Sequence, residues 1–250
     1  MLRITLLLLL LFGNARATEP FPALNYYTEQ APPYNFQAGK GPIDGFSVRL
    51  LELVLQELGA PPPRIQLLAW DRAYYLLTQQ PDAVLFTLSR TPHRSPQFKW
   101  ACPISRSRVV ILGKADNSPK LEQLTDLKAQ KIGAIRADVG EQLLLNQQVS
   151  EQQIVATQNM HQLLRLFVAN RLPFIAVHEI TAQYELSQLG QKPQTFHSAL
   201  ILATLDDCYA FNAAISDEVV QRFQQALRQL QQRPEFGQLQ AEYQLISVPD

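Results

Sequence analysis

The sequence predicts an α/β protein with two lobes, and three observations lead to that prediction. Strand-like segments alternate with segments of helical periodicity along almost the whole chain. The intervening helices are long enough to favour mostly parallel sheets that are covered by helices on both faces. Two such runs lie on either side of a long extended segment that contains VVIL, so two α/β lobes are the simplest account.

The N-terminal stretch MLRITLLLLLLFGNARA, residues 1–17, has the layout of a secretory signal peptide. Arg3 precedes an apolar run of about ten residues, well short of the roughly 20 that cross a bilayer. Ala15 and Ala17 then provide the A-x-A spacing of a cleavage site. We therefore expect cleavage, export, and a mature chain that starts near Thr18, with no cysteine there to carry a lipid anchor.

The first half of the mature chain contains one especially clear helix, FSVRLLELVLQELG. Its apolar residues recur at three- and four-residue steps, and Gly59 stands at the stop position. We expect Asp71 to cap a second, short helix, WDRAYYLLTQQ. The strands predicted here are ALNYYT, RIQLLAW, the buried strand DAVLFTLS and the long extended segment KWACPISRSRVVILGK.

The second half continues the alternation. Its predicted strands are KIGAI, QQIVAT, PFIAV and SALILATL, and its predicted helices are LEQLTDLKAQ, VGEQLLLNQQ, NMHQLLRLFVAN and HEITAQYEL. The chain closes with the helix SDEVVQRFQQALRQLQQ, which Ser216 can cap. Ligands of such sheets lie beyond the C-terminal ends of the strands.

Charge and composition exclude several classes of partner. Without the predicted signal peptide, acidic residues outnumber basic ones by two, so there is no polycation for a nucleic acid. Cys102 and Cys208 could form a disulfide in an oxidising compartment, but the sequence leaves this open. The histidines (His93, His161, His178 and His197) show no metal-ligand spacing with them. We expect no metal and no cofactor.

The order and spacing of several segments resemble the type 2 periplasmic solute-binding proteins, the bacterial extracellular solute-binding family 3 of the polar amino-acid class. The segments are GPIDGFSVRLLELVLQELG, DAVLFTLSRTPHR, FKWACPI, KIGAIRADVGEQLL, QLLRLFVANRLPFIAVHE and SDEVVQRFQQALRQL. The resemblance implies a periplasmic-binding-protein-like fold, with residues 18–105 and 206–250 in one lobe and 106–205 in the other. Two crossing segments would join the lobes as a hinge.

The resemblance also implies a function. A periplasmic monomer would hold a small molecule in the cleft between its lobes and deliver it to the membrane permease of an ABC-type importer, without chemistry. Two alternatives stay open at this point. The same clamp fold occurs in periplasmic dehydratases, for which His178 and Glu179 could supply acid or base chemistry. A ligand-sensing accessory protein that works through a membrane partner is the other.

In the family pattern, the hydroxyl-rich stretch TLSRTPHR leads to an arginine that binds the α-carboxylate of the ligand, and the matching residue is Arg94. Its planar fork suits a carboxylate. The resemblance assigns Thr87, Ser89 and Thr91 to the same group. The alternative is a surface arginine that follows a strand whose hydroxyls cap a turn.

The other predicted contacts depart further from the family pattern. Ala137 and Asp138 stand where the family commonly has a small residue and a hydroxyl, and Asp138 either caps a helix or favours a cationic ligand group. His178 replaces the aspartate that pairs with the ligand's ammonium, so a divergent branch and a non-standard ligand are expected. The alternative for His178 is a helix-start residue bonded to backbone. Tyr34 and Trp70 are the aromatic residues predicted to line the cleft, although core packing is the commoner fate of such side chains.

Overall fold

A computed structural model describes residues 19–116, 118–128 and 130–245, and the predicted signal peptide lies outside these residues. The strands are β1 (Asn25–Thr28), β2 (Phe36–Gln37), β3 (Ile43–Asp44), β4 (Ile65–Leu67), β5 (Ala83–Ser89), β6 (Lys99–Lys114), β7 (Ile132–Ile135), β8 (Ile154–Thr157), β9 (Phe174–His178) and β10 (Phe196–Phe211). The α-helices are α1 (Phe46–Glu57), α2 (Trp70–Gln79), α3 (Val139–Asn146), α4 (Met160–Val168), α5 (Glu179–Gln188), α6 (Asp217–Gln231) and α7 (Pro234–Glu242).

One sheet runs through the molecule in the order β4-β1-β5-β10-β6-β9-β7-β8. At one end β1 pairs in parallel with β4 and β5, and at the other β7 pairs in parallel with β8 and β9. The two 16-residue strands β6 and β10 lie antiparallel in the middle and cross from one half to the other. We call the half with β4, β1 and β5 the first lobe, and the half with β9, β7 and β8 the second lobe.

Each lobe has a hydrophobic core on both faces of its sheet. In β5, Val84 and Phe86 face the core under α1 and α6, whereas Ala83 and Leu85 face the core under α2. In the second lobe, α4 and α5 cover one face of β9, and α3 lies over the other. Because side chains alternate across a strand, a strand with two covered faces is apolar throughout, which is why the sequence shows unbroken apolar runs.

Two local predictions were wrong. The segment LEQLTDLKAQ forms only the short 3₁₀-helix Leu124–Leu127, because the backbone turns away at Lys128, whose φ is 50°. Asp71 does not cap α2. Ala69 is the N-cap residue, and the Asp71 carboxylate accepts a hydrogen bond from the neighbouring Arg72 N–H within the first turn.

The middle of β6 and β10 joins the lobes, and a disulfide lies beside it. Cys102 on β6 and Cys208 on β10 are bridged, with 4.7 Å between their Cα atoms. Both strands pass through the predicted lobe limits without a break, so the exact limits stay a prediction. In the part of the chain that the structure describes, no helix is both long and apolar enough to span a membrane.

Candidate ligand-binding cleft

The cleft forms where the C-terminal ends of parallel strands from both lobes meet. β1 and β5 of the first lobe and β7 and β9 of the second lobe all point their C-terminal ends toward it, as expected for ligand sites of such sheets. A small inner chamber of about 30 Å³ opens next to an outer groove of about 740 Å³, and Glu29 and Trp70 line both. The inner chamber is lined by Glu29, Ala31, Tyr34, Trp70, Thr87, Leu88, Ser89, Arg94, Asp138, His178, Thr181 and Asp207.

Arg94 is the central cation of the inner chamber and is only 2% exposed. Its guanidinium carbon lies 5.0 Å from the ring centre of Trp70 and 5.6 Å from that of Tyr74. Its Nη1 and Nη2 donate long hydrogen bonds to the carbonyls of Ser89 (3.4 Å) and Ala137 (3.5 Å). No carboxylate of the described residues lies within 4.0 Å of this guanidinium. Burial lowers the pKa of Arg94, and Asp138 acts in the opposite direction.

Two further polar groups beside Arg94 have no partner among the described residues. They are the indole Nε1 of Trp70 and the hydroxyl of Thr87, both buried. Thr87 also has a φ of 62°, and Ala137, across the cleft, has a φ of 58°. Positive φ is a genuine outlier for a β-branched residue, and such strain concentrates at ligand sites. The chamber therefore presents unpaired donors beside a buried guanidinium.

Acidic groups lie close to this cation. Glu29 directly follows β1, and burial together with the nearby Asp138 raises the pKa of its carboxyl group to about 8, against the opposing effect of Arg94. Asp138 is the N-cap residue of α3, where its carboxylate accepts from the Val139 N–H at 2.6 Å. The helix start lies close to β9, since a Cβ on Gly140 would come within 2.6 Å of the Ala176 carbonyl.

His178, at the end of β9, bonds to side chains and not to backbone. Its Nε2 lies 3.3 Å from the hydroxyl of Ser89, and its Nδ1 lies 3.3 Å from that of Ser107. Asp207 on β10 accepts from Ser89 at 2.7 Å and from Ser105 at 3.1 Å. Burial raises the pKa of Asp207, while His178 and the serine hydroxyls act to lower it. Although His178 is the N-cap residue of α5, it makes no capping bond.

The remaining predicted residues occupy different places around the chamber. Thr91 lies at the lobe contact, where its hydroxyl donates to the Gln142 side chain at 3.3 Å and accepts from the Arg94 N–H at 3.2 Å. Tyr34 lines the chamber and is held against the start of α1, since the Ser47 N–H donates to its carbonyl at 2.8 Å. A side chain on Gly45 would lie 2.3 Å from that carbonyl, so only glycine permits this approach.

Two acidic chamber residues were missed by the sequence analysis. Glu29 follows a predicted strand, so the rule that ligands lie beyond strand ends could have found it. Asp207 lies inside β10, and only the pairing of that strand with β5 and β6 brings it to Ser89 and Ser105. Among the described residues, no group of three His, Cys, Asp or Glu side chains could hold a metal ion.

The fold and cleft define a class of protein, the two-lobed α/β proteins that hold a small molecule between their lobes. The chain belongs to the bacterial extracellular solute-binding proteins, family 3, whose family model matches residues 24–245.

Individual relatives are distant. The L-cystine-binding protein TcyJ of Escherichia coli (strain K12) is 25% identical over 103 residues, 41% of this chain, and the match spans only 38% of the length of that relative. A histidine kinase sensor domain with similarity to periplasmic binding proteins superposes with a TM-score of 0.82 at 20% identity, over 93% of this chain and all of the other.

Two solved binding proteins share the fold at lower identity. The arginine-, lysine-, histidine-binding protein ArtJ of Geobacillus stearothermophilus gives a TM-score of 0.75 at 17% identity, over 91% of this chain and 97% of the other. A histidine-bound ABC uptake transporter substrate-binding protein of Streptococcus pneumoniae gives 0.77 at 16% identity, over 88% and 91% of the two chains.

Proposed function

We propose that this protein is a periplasmic, monomeric solute-binding protein that captures a small carboxylate-bearing solute, an amino acid or an analogue, in the cleft. The observation that carries the proposal is Arg94, a buried guanidinium that interacts with the Tyr74 side chain and donates long hydrogen bonds to two carbonyls, without an ion pair among the described residues. A buried charge without a carboxylate in direct contact is costly, and a carboxylate on the ligand would supply that contact. The unpaired Trp70 Nε1 and Thr87 hydroxyl offer further donors to the same anion.

The rest of the solute is expected to carry a cationic group. Glu29 and Asp138 both act electrostatically on Arg94, so the chamber can accept a positive charge near its arginine. The ring nitrogens of His178 lie against serine hydroxyls, which leaves that residue poorly suited to pair with an ammonium. The ammonium would therefore lie toward Glu29 and Asp138. The cystine and basic amino acids named for the relatives belong to the same zwitterionic class.

The two cavity volumes bear on the size of the solute. A volume of about 30 Å³ is of the order needed for a water molecule, far below that of an amino acid. A bound amino acid would therefore extend into the outer groove or require the lobes to separate more widely. Lobe separation by hinge bending at the middle of β6 and β10 fits the continuous strands there.

The partner is proposed to be the permease of an ABC-type importer, and a membrane sensor is the competing partner because a kinase sensor domain shares the fold. A periplasmic enzyme is less well supported. The dehydratase alternative needs His178 and Glu179 as acid or base, but Glu179 is ion-paired with Arg108 at 2.7 Å and the ring nitrogens of His178 lie against the hydroxyls of Ser89 and Ser107. Turnover of a bound cyclic acid by the purified protein would favour the enzyme.

A thermal-shift screen of the purified mature protein tests the proposal. The compounds are amino acids including cystine, small carboxylates, amines and short peptides, each carboxylate paired with its amide. A specific ligand raises the melting temperature by mass action. We expect a carboxylate hit whose amide is inactive. Equal shifts for acid and amide, or no response to any carboxylate, would contradict the proposal.

A further inference from the structure

Strand β5 has one residue more than β10 opposes, and this irregularity lies in the wall of the inner chamber. Upstream of it Leu85 pairs with Ala210, and downstream of it Leu88 pairs with Cys208. Between these pairs, two residues of β5 therefore stand against one residue of β10, which is a β-bulge. Thr87, which lines the chamber, is one of the two.

The bulge inverts the alternation of side chains along β5. Ala83 and Leu85 lie in the core under α2, and in a regular strand Ser89 would follow them onto that face of the sheet. Leu88 lies in this core instead. Ser89 is consequently turned to the other face, where its hydroxyl donates to the carboxylate of Asp207. The extra residue thus decides that Ser89 can meet Asp207.

Asp207 lies directly beyond the bulge and links three strands. It pairs with Ser89 of β5 on one side and with Ser105 of β6 on the other. Both hydroxyls donate to its carboxylate, Ser89 to Oδ1 at 2.7 Å and Ser105 to Oδ2 at 3.1 Å. Asp207 is only 2% exposed. In the register that holds upstream of the bulge it would oppose Leu88, and the buried carboxylate would lose a hydrogen-bond donor, which is costly.

The same part of β5 carries groups of the proposed anion site. Thr87 has its strained φ of 62° in the bulge, and its buried hydroxyl has no partner among the described residues. The Ser89 carbonyl accepts from Nη1 of Arg94 at 3.4 Å. Strained residues persist only where their surroundings fix them. We propose that Asp207 is a positioning residue of the anion site: by holding Ser89 in the shifted register, its carboxylate fixes the bulge at Thr87 and the carbonyl that Arg94 contacts.

The disulfide beside this site acts on a different pair of strands. It links Cys208 to Cys102 of β6, whereas the bulge lies between β5 and β10. Beyond the bulge, β5 is held to β10 by backbone hydrogen bonds and by the bond between the side chains of Ser89 and Asp207. Backbone groups can pair in either register, so the side-chain bond is what selects the bulged one.

Crystal structures of ligand-free mature variants test whether Asp207 holds the bulge. The φ of Thr87 should become negative in Asp207→Ala, because the shifted register is no longer favoured. Ser89→Ala removes the same hydrogen bond but leaves Asp207 bonded to Ser105, so it serves if Asp207→Ala does not fold, and it should give the same result. Ser105→Ala is the matched control. It removes the bond to β6 and not the bond to β5, so Thr87 should keep its positive φ.

Binding of formate, the smallest carboxylate, measures the consequence for the anion site. NMR follows the indole N–H of Trp70, and the indole N–H of Trp100, which is bonded to a backbone carbonyl, is the internal reference. We expect the Kd of formate to rise about tenfold in Asp207→Ala and Ser89→Ala, and by about twofold at most in Ser105→Ala. The preference for formate over formamide should fall with it, which a general loss of stability would not produce.

The inference rests on the proposed function, and the two readouts separate their failures. A positive φ at Thr87 in both Asp207→Ala and Ser89→Ala would overturn the inference, whatever formate does. An equal loss of formate affinity in Ser105→Ala would also overturn it. A wild-type protein in which formate leaves the Trp70 signal unchanged would contradict the proposed function instead, and the φ of Thr87 would still decide whether Asp207 holds the bulge.

Discussion

The two walls of the cleft are built differently. The first-lobe wall presents the buried side chains of Arg94 and Trp70, and Thr87, whose hydroxyl is buried and whose backbone is strained. The second-lobe wall offers a carbonyl, a helix-capping aspartate and a histidine engaged at the hinge. The first wall is thus preorganised for an anion, whereas the second presents a negative charge at Asp138. Recognition of the carboxylate should therefore depend on the first lobe, and selectivity for the rest of the ligand on the charge that the second lobe presents.

Removing the disulfide should have the largest effect of the changes considered, and that effect should be on the free energy of unfolding. The bridge links β6 covalently to β10 beside the first-lobe wall. It closes a loop with a sequence separation of 106. A loop of this length corresponds to about 4 to 5 kcal/mol in the chain-entropy model. We expect the variant Cys102→Ser/Cys208→Ser to lose most of this from its free energy of unfolding in urea. Reduced wild-type protein is the control, and a loss below about 1 kcal/mol would show that the bridge is not what stabilises this wall.

Arg94→Ala should weaken binding of any carboxylate ligand at least tenfold, about 1.4 kcal/mol, because the first wall loses its cation. Arg94→Lys should recover only part of the affinity, since an ammonium keeps the charge but not the planar fork. Isothermal titration calorimetry with the best ligand of the screen measures both. Unchanged affinity in Arg94→Ala would remove this residue from the site and reverse the roles assigned to the walls.

The sequence predicted much of the fold because the fold depends on local periodicity. The segment predicted as one long extended element, KWACPISRSRVVILGK, is β6 from its first residue to its last. Periodicity gave a wrong helix at LEQLTDLKAQ, where the backbone angle of Lys128 ends the helical turn. It also did not reveal α7. Arg94 was predicted from the resemblance to the family and not from periodicity, and it lines the chamber together with Trp70 and Tyr34. Asp207 could not be found in this way, because its neighbours depend on the long-range pairing of β10.

Glu29→Gln should change the pH dependence of stability. Because the pKa of this carboxyl is raised to about 8 in the folded protein, the folded state binds more protons than the unfolded state between about pH 4.5 and 8. The free energy of unfolding therefore falls as pH rises through this window. In the variant, the melting temperature should fall less steeply between pH 5 and pH 8 than in the wild type. Asp207, whose pKa is also raised, leaves a residual slope, and an unchanged profile would show that Glu29 is not desolvated.

The substitution Asp138→Asn removes the negative charge of this residue but keeps its role as the cap of α3. Asparagine caps a helix about as well as aspartate, so α3 should remain intact and stability should change little. The loss of a negative charge should weaken binding of a ligand with a cationic group, but by less than tenfold. The reason is that Asp138 raises the pKa of Glu29, so its neutralisation lets Glu29 ionise at lower pH and take over part of the attraction. Calorimetry as a function of pH should show affinity rising at lower pH than in the wild type, with the exposed Glu151→Gln as the control. A uniform loss with no shift along the pH axis would mean that the two carboxylates do not act on one ligand group.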